Sequence, residues 1–147
     1  MGKRRKAREL ALKILYAYDA KKSLDIKECI NEFWSMYPDC PKDIKEYVEL
    51  LAIGTIERIK KIDNIIIGYI KNWTIERLAL IDRNILRLAI YELLYEALDE
   101  KIIINEAIEI AKKYGDIEAY QFINAVLDAI SKRYRTINSK IIKANSK

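Results

Sequence analysis

Five cations crowd the first eight residues: Lys3, Arg4, Arg5, Lys6 and Arg8, with no carboxylate among them. Side chains of this kind at this density neutralise phosphates, Arg through a planar fork and Lys as a point charge. They stand at the start of a strong helical pattern, where the backbone dipole is positive. Each cation there is unfavourable by roughly 0.3–1 kcal/mol at low salt. Helix stability therefore does not account for the cluster, whereas a bound polyanion does, and nucleic acid is the commonest one. A second acid-free cluster comprises Lys132, Arg133, Arg135, Lys140, Lys143 and Lys147. These cations follow a helix end, where the dipole favours them, so local stability and solubility explain part of that cluster. Residues 9–130 hold 16 basic and 22 acidic groups, so basic ends flank an acidic body.

Other chemistry is largely excluded. The chain has no histidine, which removes the Ser–His–Asp triad, the Cys–His pair and every histidine metal site. Cys29 and Cys40 form no CxxC pair and read as small buried apolar side chains of a reducing, cytoplasmic protein. The four glycines are isolated, so no phosphate-cradling loop exists. Asp99–Glu100 has no nucleophile near it in the pattern and reads as a solvated turn. No catalytic residue, metal or cofactor is expected, and the chain reads as a binding module rather than an enzyme. Tyr16 falls off the apolar stripe of the first helix, on the side of Arg5 and Leu12. An exposed Leu12–Tyr16 pair beside arginines is a candidate docking surface. Asn105 and Asn124 sit inside apolar patterns and are expected to be buried, capping a helix end or fixing how two helices meet.

The elements that hold these residues are helices. The chain has 147 residues, 51% hydrophobic and 33% charged, with only two prolines. Such a chain is long enough for one packed domain and poor in the turn residues a β-fold needs. Ala7, Leu10, Ala11, Ile14, Leu15 and Tyr18 recur at helical spacing and predict a helix over 4–21. Similar patterns predict helices over 25–36, 42–61, 80–98, 104–114 and 117–134. Asp63 is placed as the N-cap of a short helix reaching Lys71. The 80–98 helix is apolar on so much of its circumference that it should be central. Gly115 marks a helix stop. The expected organisation is an all-α bundle over 1–134 followed by a basic tail, 135–147. No apolar run approaches the ~18 residues of a membrane span.

Four blocks carry a family resemblance. Arg4–Arg5–Lys6–Ala7–Arg8–Glu9, followed by Leu15–Tyr16, resembles the opening of the NusB family. The run from Ile81 to Leu93 (IDRNILRLAIYEL) is similar to that family's central helix, and Ile104 to Gly115 (INEAIEIAKKYG) to its next motif. Phe122 to Asp128 (FINAVLD) resembles its last. The resemblance implies about seven helices in two packed subdomains. It implies transcription antitermination by binding the boxA element of single-stranded ribosomal leader RNA, as a heterodimer with NusE, a small-subunit ribosomal protein, within the RNA polymerase antitermination complex. Some members form homodimers that bury the RNA surface. Others are RNA-substrate-binding modules or helical adaptors without an antitermination role, and this is the alternative reading. Carried over by motif position, Lys3, Arg4, Arg5, Lys6 and Arg8 are the expected RNA contacts, with Glu118 and Phe122 near the RNA path. Leu12, Tyr16 and Asp82 are the expected partner-facing residues. Ala125 stands where the family usually has Gly, and Glu118 where it often has Asp.

Overall fold

A computed structural model describes residues 2–22, 25–71 and 74–145, with the side chains of 136–145 left aside. Seven α-helices and one short 3-10 turn form the described chain. They are α1 (Gly2–Lys21), α2 (Ile26–Met36), α3 (Lys42–Glu57), α4 (Ile59–Ile67), the turn Ile75–Arg77, α5 (Leu80–Tyr95), α6 (Glu100–Tyr114) and α7 (Ile117–Asn145). Helix α5 is the hub. It packs against α1, α3 and α4 on one side and α6 and α7 on the other, giving two helix groups around one core. The unbroken run Asn84–Leu93 is buried, as its all-round apolar character requires.

Several boundaries differ from the sequence pattern, each for a local reason. Asp25 caps α2 as expected, accepting from Lys27 N at 2.9 Å. The predicted 42–61 helix breaks at Arg58, whose N–H bonds back only three residues, to Thr55 O. The break turns Ile62, Ile65 and Ile66 onto the core. Asp63 therefore lies inside α4 and is no cap. Asp99 is an N-cap rather than a turn acid, accepting from Lys101 N at 2.7 Å, so α6 starts four residues early. That puts Asn105 within the helix, and both Asn105 and Asn124 are exposed. Their expected burial is overturned because each faces away from the core-facing stripe. Gly115 ends α6 as predicted, its N–H bonding Ala111 O at 2.7 Å. The last helix continues past 134 to Asn145, and Arg135 lies within it.

Partly buried charge ties the helices together. Asp19 on α1 accepts both arms of the Arg83 fork (2.6 and 2.7 Å) and bonds Asn84 (2.9 Å) and Arg87 (2.8 Å). Arg87 in turn grips Asp63 of α4 with two bonds of 2.8 and 2.9 Å. Burial pushes the Asp19 carboxyl up, but the bonds from Arg83 and Asn84 and the Arg87 charge outweigh it and hold the group below its ordinary value.

Candidate nucleic-acid interface

The basic opening turns of α1 divide into three kinds of side chain. Arg8 is 3% exposed and forms a two-bond pair with Glu92 of α5, each bond 2.8 Å. Burial alone would lower its pKa, but the Glu92 bonds raise it. Arg8 thus holds helices together, and its expected role as an RNA contact is corrected: no ligand atom reaches a guanidinium enclosed by its own carboxylate. Arg5 is intermediate. Its Nε donates to Glu106 Oε2 at 2.7 Å, and the hydrogen bond and charge of Glu106 raise its pKa. Only Nε is engaged, so the two Nη groups of a half-exposed side chain remain for a phosphate. Lys3 forms an exposed pair with Asp43 of α3 at 3.2 Å, which lowers the Asp43 pKa. Such a pair is weak and exchanges readily for another anion. Arg4 and Lys6 are exposed, and among the described residues no carboxylate lies within ion-pair distance of either. The first turn of α1 contains no acid to balance them. An accessible basic strip therefore winds around the start of α1 over Arg4, Arg5 and Lys6, which stand about 100° apart in turn and share no single face.

Of the residues expected to face a partner, Leu12 and Tyr16 sit elsewhere on the same helix and Asp82 on α5. Tyr16 is 40% exposed and lines a notch of about 180 Å³ with Lys13, Ile81 and Tyr114. Leu12 lies at the floor of this notch but is buried, because its other side faces Ile85 and Leu88 of α5 and Ile103, Ala107 and Ile110 of α6. The expected exposed Leu12–Tyr16 pair is accordingly corrected to an exposed Tyr16 above a buried Leu12. Ile81 and Tyr114 escaped the sequence reading because both lie on stripes assigned to the core.

Asp82, expected to face the protein partner, and Glu118 and Phe122, expected near the RNA path, lie on one surface together. They line a cavity of about 490 Å³ between the Tyr69–Lys71 segment, the start of α5 and the start of α7. Phe122 is half-buried against the core and Glu118 is exposed. Burial first, and then the negative charge of Asp116, raise the Asp82 carboxyl above its usual range. Asp116 itself caps α7, accepting from Ala119 N at 2.8 Å. Tyr69 and Asp116 also belong to this cavity and had no distinguishing signal in the sequence.

Comparison with known proteins identifies the family and the fold. The profile described as the NusB family matches residues 5–132. The chain belongs to the NusB family. A curated relative, the transcription antitermination protein NusB of Thermodesulfovibrio yellowstonii, is 45% identical over 139 residues, covering 88% of this chain and 92% of its own. Among solved structures, T. maritima NusB superposes with a TM-score of 0.82 at 36% identity, over 89% of this chain and 92% of that one. A structure described as antitermination factors NusB and NusE in complex with dsRNA superposes with a TM-score of 0.82 at 32% identity, over 91% and 99% of the two chains. The family resemblance read from four short blocks thus extends through the whole NusB fold. Among the described residues no helix is long and apolar enough to cross a membrane, and no group of three or more Cys, Asp or Glu is placed to hold a metal.

Proposed function

We propose that this chain is a transcription antitermination factor that binds the boxA segment of single-stranded ribosomal leader RNA as a heterodimer with NusE. It acts in the cytoplasm by binding alone, as one part of the antitermination assembly on RNA polymerase. The observation that carries the reading is the pair Arg4 and Lys6, exposed and, among the described residues, without carboxylate partners at the positive end of a helix. Cations held where they are locally unfavourable are stabilised by an anion, and the neighbouring Nη groups of Arg5 extend the same strip. A relative of the same fold was solved with NusE and dsRNA, which supports assigning the strip to RNA and the Tyr16 notch, together with Asp82 in its separate cavity, to the protein partner. NusE seated there would lengthen the basic surface and raise RNA affinity.

The test is a titration of labelled boxA RNA against the full chain, with and without NusE, for wild type and for Arg4→Ala/Lys6→Ala. The double variant is expected to bind more weakly in both arms. Equal affinity and an equal salt slope would remove the strip from the RNA path. Tyr16→Ala is expected to lower NusE affinity while leaving RNA binding by the isolated chain unchanged.

A further inference from the structure

Arg8, Arg83 and Arg87 each close on a carboxylate with two bonds. Nε and Nη2 of Arg8 meet both oxygens of Glu92, those of Arg83 both oxygens of Asp19, and those of Arg87 both oxygens of Asp63. Arg5 pairs differently. Its Nε donates to Oε2 of Glu106 at 2.7 Å, and among the described residues neither Nη has an acceptor. The Glu106 side chain is 2% exposed. Its second oxygen, Oε1, is buried and has no hydrogen-bond partner among the described residues. A buried acceptor left empty costs stability, and a two-bond pair would have filled it. Arg5 also lines an open groove of about 420 Å³ between α1 and α6, with Glu9, Glu109, Lys112 and Lys113. Glu9 stands one turn further along α1, where an i,i+4 pair with Arg5 would ordinarily form. Instead both its oxygens accept from Lys113, at 3.1 and 3.2 Å. Glu109 has Lys112 at 3.7 Å. Each acid on the groove thus has a lysine of its own, and the Nη edge of Arg5 is left over.

We propose that Glu106 is a positioning residue for RNA binding: it grips Arg5 by Nε alone and so keeps both Nη groups free as a preset two-donor seat for one phosphate. The inference rests on the RNA reading above and adds the residue that sets the geometry of one of its cations. A free arginine side chain must be ordered when a ligand binds, whereas one already fixed at Nε has only its outer edge left to commit. That edge suits phosphate, which takes two parallel N–H donors. Glu106 acts from α6, 101 positions away in the chain, and its enclosed side chain does not meet the RNA itself. The sign of the effect separates positioning from simple electrostatics. Glu106 is an acid beside a basic strip, so on charge alone its removal should strengthen RNA binding. Positioning demands the reverse.

The experiment titrates labelled boxA RNA with the full chain over a range of salt, well below the unfolding temperature of every variant. Glu106→Met, close in volume but without an acceptor, is expected to weaken binding about two- to tenfold at each salt concentration, the order of fixing one long side chain at an interface. Its log–log salt slope should match wild type, because Arg5 keeps its charge and still meets the phosphate. Arg5→Ala should instead make the slope shallower by about 0.7. Glu106→Gln keeps an acceptor for Nε and should recover most of the affinity, although its charge equals that of the Met variant. In the Arg5→Ala background Glu106→Met should change nothing further, since its effect passes through Arg5. Unchanged or stronger binding by Glu106→Met overturns the proposal, as does a Gln variant no better than Met. Equal losses in both backgrounds would reduce Glu106 to a strut between helices and overturn it too. Arg4→Ala/Lys6→Ala separates the two levels of inference. If that variant weakens binding while Glu106→Met does not, positioning fails and the RNA reading stands. If neither alters binding, both fail.

Discussion

Arg4 and Arg8 stand one turn apart on α1 and do different work. Arg8 is enclosed with Glu92, and removing one partner of a buried pair leaves an uncompensated charge, at a cost of about 3–5 kcal/mol. Arg8→Ala is therefore expected to lower the midpoint of thermal unfolding substantially, read by circular dichroism. Arg4→Ala should leave stability within about 0.5 kcal/mol, as an exposed residue without partners does. The sequence could not separate the two arginines, because the residue that decides, Glu92, is 84 positions away. Two carboxylates add opposite pH signatures. Asp19 is held below its ordinary value in the fold, so its contribution is present above the unfolded value near ~3.9 and is lost as pH falls through the folded one. Acid unfolding of Asp19→Ala should accordingly be less steep in that range than for wild type. Asp82 is shifted upward by burial and Asp116, so its ionised form is disfavoured in the fold. Asp82→Asn should stabilise the chain at pH 7 and lose that advantage below about pH 4, where the carboxyl is protonated in both states. The same variant should weaken NusE binding, since a carboxylate kept at a cost to stability is a recognition group.

At the scale of elements, periodicity recovered the helices but not their joints. The apolar stripes of α1, α2, α5 and α7 stand where the pattern put them, because a 3.6-residue repeat reports one face against one core. The break at Arg58 was not legible. No Gly or Pro marks it, and it exists because α4 must turn its isoleucines toward α5, a demand set by tertiary packing. The exposure of Asn105 and Asn124 was missed for a related reason: apolar sequence neighbours do not fix which way a helical residue faces. A glycine in α3 shows how close these helices come. A Cβ at Gly54 would stand 2.4–2.5 Å from ring atoms of buried Tyr91 on α5. Alanine normally gains about 1 kcal/mol over glycine within a helix. At Gly54 the rigid ring has no space to yield, so Gly54→Ala is expected to destabilise by about 1–3 kcal/mol, the usual cost of overpacking. A urea titration of Gly54→Ala alone and with Tyr91→Ala checks this. The ring's removal should make the second substitution far less costly than the first was.

For the whole molecule, the distribution of charge matters more than its sum. The formal charge is +5, yet basic termini flank an acidic body, so the long-range field is that of an acidic particle with cationic ends. Exposed charges farther apart than a Debye length of about 8–10 Å act separately near physiological salt. On the proposed reading, RNA meets the strip of Arg4, Arg5 and Lys6 rather than the net charge. Three neutralised phosphates on a single strand give a log–log salt slope near −2, and affinity should fall about twenty-fold between 50 and 200 mM salt. Removing Arg4 should bring the slope to about −1.4 and the fall to about sevenfold over the same range. Arg8 supplies the control. Its charge is as large and its place on α1 only one turn further, but Glu92 already neutralises it out of reach of solvent. Arg8→Met, measured well below its lowered unfolding temperature, should keep the wild-type slope. A slope that drops as far for Arg8 as for Arg4 would mean that the charge count of α1, and not the accessibility of particular side chains, sets RNA binding.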